Sequence, residues 1–299
     1  MDPQTTFCPN LDCPARGQIG QGNIHLHSRK KQRYRCTQCG QTFTASKGTP
    51  FYRRHQPLEL VVCVITLLAY GCPPQAIVHA FGWDERTVYA LLQEAGQHCE
   101  RLHQHVVQRP HDLGHLQADE LRVKLQGVIV WVAMALEVRT RLWLGGVLSP
   151  QRDLNLLVKL MQGVRQCALM RPLLICVDGW RSYKRAVQQV FRDAVPHRGR
   201  GRPRLYGWDN LCLVQIVKYP SHPTRGMLCR LIQGAGQQVC ELLRQTQGEG
   251  VANTAYIERL NATFRARLCG LVRRGRALLR QPHTLQQGMY LIGTVYGTS

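Results

Sequence analysis

Two groups of side chains in this sequence have the types and spacing to do chemistry. The first is a set of three carboxylates. Asp178 ends the apolar run Pro172-Leu173-Leu174-Ile175-Cys176-Val177 and precedes Gly179, the pattern of a strand buried on both faces that delivers an acid at its C-terminal edge. Asp119 lies beside Glu120 in a second β-prone stretch, Leu116 to Leu121. Glu258 is the last acid of the chain. Arg259, Arg265, Arg267, Arg273, Arg274, Arg276 and Arg280 follow it with no carboxylate to offset them. Phosphodiester cleavage through two metal ions roughly 4 Å apart needs hard anionic oxygens that bridge and flank the pair. Asp119 and Asp178 on neighbouring strands, with Glu258 reaching in from a helix, would be such a set for two Mg²⁺ ions. Each acid also has a plainer role. Asp178-Gly179 suits a strand-ending turn, Asp119 shares its place with Glu120, and Glu258 suits the first turn of a helix.

The second group is four thiols. Cys8 and Cys13 form a C-x4-C pair and Cys36 and Cys39 a C-x2-C pair, with 22 residues between the pairs. Two such knuckles supply four thiolates for tetrahedral Zn²⁺. The intervening segment is polar and basic (His25, His27, Arg29, Lys30, Lys31, Arg33, Arg35), so this part needs the metal in order to fold. Four free cysteines in a loose N-terminus, or His25 or His27 replacing a thiolate, are the alternatives. The chain has 13 cysteines, an odd count, most of them single in apolar surroundings. That fits a reducing compartment with one metal site better than a disulfide framework.

The partner follows from charge. Thirty-nine Lys and Arg against 18 Asp and Glu leave a net charge of +21 on 299 residues, and the isoelectric point is about 10.0. A polyanion is expected, and nucleic acid rather than membrane, because no run of the ~20 residues needed to span a bilayer is apolar throughout; the apolar stretch Leu58 to Tyr70 is ended by Gly71-Cys72-Pro73-Pro74. Nor does the start of the sequence show the basic-then-apolar pattern of a signal peptide.

The elements that must position these groups fall into three parts. Residues 1–55 hold the thiols as a zinc ribbon. In residues 56–112, Leu58 to Tyr70 reads as an apolar helix and Gln75 to Phe81 as a short one stopped at Gly82. Asp84 then caps a third helix to about Leu102, with Val88, Leu91, Leu92 and Ala95 inward. Two helices joined by a tight turn, the longer one second, match a DNA-reading helix-turn-helix, and a plain three-helix bundle is the alternative. His98, His103, His105, His111 and His115 are spaced irregularly, as in a solvated linker. In residues 113–299, Gly127 to Ala135 and Arg141 to Leu148 are β-prone and joined as a hairpin through Glu137 to Thr140. Pro150 to Cys167 is helical, with Leu154, Leu157, Val158 and Met161 on one face. The strand 172–178 and a helix from Ser182 to Phe191 follow. Last comes a helix opened by Asn253 or Thr254, whose stripe is Ile257, Leu260, Phe264, Leu268 and Leu271, with Glu258, Asn261, Ala262 and Arg265 off it. Strand, hairpin, helix, strand, helix and a later acid-bearing helix is the order of a ribonuclease H-like fold. The expected class is therefore multi-domain α/β: a zinc ribbon, a helical helix-turn-helix domain and a ribonuclease H-like mixed α/β catalytic domain.

Asp119-Glu120, Val177-Asp178-Gly179 and the block Ile257-Glu258-Arg259-Leu260-Asn261-Ala262-Thr263-Phe264-Arg265 stand behind Tyr34-Arg35-Cys36-Thr37-Gln38-Cys39-Gly40 with Thr42-Phe43. Together they resemble bacterial insertion-sequence DDE transposases, of the insertion-sequence-one type, over nearly the whole chain. The resemblance implies that Asp119, Asp178 and Glu258 are a catalytic triad using Mg²⁺. It also implies that the ribbon and helix-turn-helix bind the element's ends, and that at least a dimer assembles on paired ends in the bacterial cytoplasm, at the nucleoid. The interval from Asp178 to Glu258 is long for this class, so a basic insertion is expected over about 193–250, where Asp193 and Asp209 compete as ligands. Within it, His197-Arg198-Gly199-Arg200-Gly201-Arg202-Pro203-Arg204 suits either an A·T-rich minor groove or a loop gripping phosphates without sequence preference. Arg198, Arg200, Arg202, Arg204, Arg259, Arg265, Arg273, Arg274 and Arg276 are expected to line the DNA path. Trp131, Trp143, Trp180 and Trp208 are expected in the core, with Trp180 the one to test near the scissile phosphate. A ribonuclease H-like nuclease or resolvase without strand transfer, and a DNA-binding regulator with vestigial acids, are the competing functions.

Overall fold

The computed structural model describes residues 2–10, 12–195, 203–218, 226–248, 250–268 and 281–298. Among these the chain is mixed α/β, with eight α-helices and a mixed six-stranded sheet behind a small N-terminal sheet. That small sheet is β1 (Ile24–Ser28), β2 (Arg33–Cys36) and β3 (Thr42–Thr44), all antiparallel. Tyr34 pairs across to Phe43, and with Ala15, Ile24 and three buried cysteines they are its buried apolar core among the described residues. A core this small cannot by itself offset the entropy of ordering the segment.

Helices α1 (Leu58–Ala69), α2 (Pro74–Phe81) and α3 (Glu85–Val106) come next. Gly82 ends α2 in the left-handed region (φ 64), and Asp84 caps α3 by accepting from the Arg86 N–H at 2.8 Å. The third helix runs to Val106, a turn beyond the expected end. This corrects the histidine-rich linker. His103 sits four residues after Cys99, on the stripe that continues Leu91 and Ala95, and is buried between Trp143 and Tyr290 (ring centroids 5.0 and 5.4 Å). His115 is buried as well. The solvated reading therefore fails for these two, His103 on the core stripe of α3 and His115 on β4, whereas His105 is exposed and His98 and His111 are half-buried.

The main sheet is built from β4 (His115–Lys124), β5 (Ile129–Glu137), β6 (Trp143–Ser149), β7 (Leu173–Asp178), β10 (Leu211–Lys218) and β11 (Met227–Gln233), in the order β11-β10-β7-β4-β5-β6. Parallel strands β4, β7 and β10 form its middle, and the other pairings are antiparallel. A short hairpin, β8 (Arg192–Val195) with β9 (Arg204–Gly207), stands apart. Within the interval 193–250, expected as a basic insertion, the described residues include two strands of the main sheet, β10 and β11, and a helix, Gly236–Gln247. Leu211 to Ile216 is a second run buried on both faces, equivalent in pattern to 173–177.

Helices α4 (Leu154–Cys167) and α5 (Ser182–Val190) cover one face, where Leu156, Leu157, Leu160, Met161, Tyr183 and Val187 meet Leu173, Ile175 and Val177. The buried face of α4 is centred on Leu157, Leu160, Met161 and Val164, one position round from the expected one; Leu154 and Val158 are its edge. Helix α6 (Gly236–Gln247) covers Leu174, Cys176 and Val214 on the opposite side. There α7 (Ala255–Arg267) and α8 (Pro282–Thr298) cover β4 and β5. Leu291 of α8 also enters the core of α1–α3. At Gly71, between α1 and α2, a Cβ would lie 2.7 Å from the Arg267 Cα at the end of α7. With φ at 86, only glycine fits that turn against the helix. No helix among the described residues is long and apolar enough to cross a membrane.

Candidate metal centres

Parallel pairing matches Ala118 of β4 with Val177 of β7, so the next position on each strand is Asp119 and Asp178. They line one cleft of about 460 Å³ with Glu258, Arg152, Trp180 and Lys218. The three expected acids are therefore brought together. Burial, backed by the charges of Asp178 and Glu258, pushes Asp119 up to about 6, against the pull of a backbone N–H at Glu120 and of Arg265. Oxygens of Asp119, Glu120 and Asp178 lie within 4.8 Å of one another. Hard anionic donors that repel one another in a half-buried cleft fit a divalent cation such as Mg²⁺.

Glu258 stands outside that close group. Its Oε1 accepts from the Lys218 ammonium and from the Thr254 hydroxyl at 2.6 Å. Burial alone would raise its pKa, but these two donors outweigh it and hold the carboxyl below its ordinary value. Asp193 and Asp209 are not in the cleft. Asp193 pairs with Arg165 and accepts from the Trp208 indole N–H at 2.7 Å, so its charge is committed to the β8–β9 hairpin.

Helix α7 is aimed at Asp119 by residues the sequence reading passed over. Gln117, buried and two positions before Asp119 on the same face of β4, accepts from the Tyr256 and Ile257 N–H groups at 3.0 Å each. Asn253 accepts from Ala255 N at 2.9 Å, so these two cap the helix while Thr254 serves Glu258. Asn261, expected off the apolar stripe, is buried and donates from Nδ2 to Asp119 Oδ2 at 2.7 Å. The correction has a simple cause: the helix buries one polar contact among Ile257, Leu260 and Phe264 because the strand below presents a carboxylate. Helix α7 also ends at Arg267, and Leu271 lies outside the described residues. A polar residue at i − 2 from a strand acid was the available signal for Gln117; a cation ending an apolar run was the signal for Lys218. Replacing Gln117 by Met is expected to lower stability by about 2 kcal/mol, since two helix N–H groups lose their acceptor. Urea denaturation measures this, and an unshifted midpoint would remove Gln117 as the cap.

The four expected thiols also converge. Cys8 Sγ lies 3.6 Å from Cys39 Sγ, and Cys13 Sγ 3.8 Å from Cys36 Sγ. Tetrahedral zinc at ~2.3 Å from each sulfur gives edges of about 3.8 Å, so the quartet fits Zn²⁺. Asn23 Nδ2 donates to Cys36 Sγ at 3.6 Å, orienting that ligand. Burial pushes Cys8 up to about 12, while a backbone N–H at Gln41 leads the shift of Cys39 down to about 7.

Of the arginines expected on DNA, Arg204 and Arg259 are exposed, and Arg265 is half-buried with its charge felt at Asp119. Arg198, Arg200, Arg202, Arg273, Arg274 and Arg276 lie outside the described residues. Trp143 and Trp208 are core; Trp131 and Trp180 are only partly buried.

Neither a scan against protein-family models nor a search of curated proteins finds a match to this chain.

Proposed function

We propose that this chain is a DNA transposase of the DDE kind: it binds the ends of a mobile element, hydrolyses a phosphodiester and joins the freed 3′-hydroxyl to target DNA. The observation that carries this reading is the convergence of Asp119, Asp178 and Glu258 on one cleft, in a chain of net charge +21. The six-stranded sheet with helices on both faces is read as ribonuclease H-like, the thiol module as a zinc ribbon, and α2–α3 as a helix-turn-helix. In this reading Asp119 and Asp178 hold Mg²⁺, with Glu258 completing the set once it parts from Lys218. Bound there, Mg²⁺ would lower the pKa of the attacking water or hydroxyl and stabilise the leaving oxygen. Asn261 and Gln117 keep Asp119 and α7 in register. Arg204, Arg259 and Arg265 bind phosphates, and a dimer or higher oligomer acts on paired ends in the bacterial cytoplasm.

A strand-transfer assay tests the proposal. Purified protein, Mg²⁺ and a labelled duplex carrying the element's end are compared with Asp119→Asn, Asp178→Asn and Glu258→Gln proteins that still bind DNA. Joined product is expected from the wild type, with losses of roughly 1,000-fold in each variant, as befits the several kcal/mol a metal's ligand set contributes. Cleavage without joining would make the chain a nuclease; binding without cleavage would make it a regulator.

A further inference from the structure

Glu120 is a carboxylate whose charge is already spoken for. Its side chain is 1% exposed. Oε1 accepts from Arg152 Nε at 2.9 Å and from Arg152 Nη2, and Oε2 accepts from the Tyr183 hydroxyl at 2.8 Å. Although it lies near Asp119 and Asp178, its oxygens are occupied by the chain's own donors. Arg152, by contrast, is 38% exposed and lines the cleft. Its guanidinium lies over the Trp180 ring (4.4 Å to the centroid) and near that of Trp131 (5.2 Å). Nη2 is 3.8 Å from Asp178 Oδ2. Nη1 has no hydrogen-bond partner among the described residues.

We infer that Arg152 is a phosphate-binding residue of the cleft, donating from its Nη1 side to a non-bridging oxygen of the phosphodiester that the acids act on. This rests on the cleft being the DNA site proposed above. Three features separate it from a plain ion pair with Glu120. Both donors to Glu120 converge on one oxygen, so the guanidinium is pinned along one side and open on the other. Its guanidinium carbon lies over the Trp180 indole, a cation–π contact that holds it in place at little further entropy cost. A lysine could neutralise Glu120, but its rotatable ammonium lacks the rigid fork that holds two bonds to one oxygen while presenting a further donor in a fixed direction. A polyanion entering a cleft of three acids also needs cations at its rim. Two cations line this cleft among the described residues: Lys218, whose charge is paired with Glu258, and Arg152, which lies beside Asp178 with its Nη1 side open.

The test uses the full chain with Arg152→Lys, the double variant Arg152→Met/Glu120→Gln, and Asp119→Asn. The double variant leaves no unpaired buried charge, and circular dichroism melting confirms its fold. Binding of a fluorescent duplex oligonucleotide is measured without added Mg²⁺ and without chelator over a KCl series. One lost phosphate contact is expected to reduce the slope of log K against log salt by about 0.9 in the double variant, and Arg152→Lys should recover the slope because its charge remains. With Mg²⁺, Arg152→Lys should still show kcat reduced about tenfold or more, since lysine cannot reproduce the oriented fork. A wild-type slope in the folded double variant, or full kcat in Arg152→Lys, would overturn the inference. If Asp119→Asn keeps full cleavage, the acid reading falls instead, and the salt slope still decides on Arg152.

Discussion

Asparagine in place of Asp119 is expected to stabilise the metal-free protein at pH 8 while removing Mg²⁺-dependent turnover. Asp119 titrates near 6 in the folded chain against an ordinary 3.8, because burial and the charges of Asp178 and Glu258 disfavour its ionised form. A carboxyl whose folded value is raised gives up its proton more readily when unfolded. Stability therefore falls as pH rises from about 4 through 6, by about 2–3 kcal/mol for a shift of this size, and does not differ below the unfolded value. The amide keeps an acceptor for Asn261 Nδ2 and carries no charge. Melts of both proteins without metal should show a gap of several degrees at pH 8 that closes by pH 4. Mg²⁺ should narrow the gap at pH 8 by stabilising the wild type alone. An equal gap at both pH values would mean that the carboxylate charge is not its source.

The largest effect is expected at the thiols. One Zn²⁺ per chain should be found by metal analysis, and Cys36→Ser or a strong chelator should unfold residues 2–55 while the six-stranded sheet persists. Structural zinc contributes on the order of 10 kcal/mol in modules of this kind. The buried side chains of this one, chiefly Tyr34, Phe43, Ile24 and Ala15, cannot replace that. Limited proteolysis should then cut the N-terminal module first. Zinc absent from the wild type, or retained in full by Cys36→Ser, would sink this account.

Much of this architecture was legible because single rules sufficed. A buried run ending in Asp-Gly gave β7 and its acid; Gly82 and Asp84 gave the boundary between α2 and α3; paired thiols gave the four-thiol cluster. What escaped depended on partners distant in sequence. Asn261 looks like a surface residue by helical period until β4 supplies Asp119 beneath it. Gln117 looks like any polar residue in a strand until the N-terminus of α7 arrives above it. Arg152 follows a β-strand in an ordinary loop, and its place is fixed by Glu120, Trp131 and Trp180, from three other segments. His103 was misjudged for the opposite reason: residue type was weighed over its position on a helical stripe.

The strand order has a consequence in time. Central strand β7 is flanked on one side by β4, made before it, and on the other by β10, made after it. The cleft also needs Lys218 from β10 and Glu258 from α7. A chain still on the ribosome can close the thiol module early, since that module's pairings are all local. The acids are not assembled until the last third has emerged. Domains generally form as units in the order of synthesis, so an unfinished copy would have its four thiols gathered but no complete set of acids, and under the proposed function premature termination before residue 258 would leave binding without cleavage.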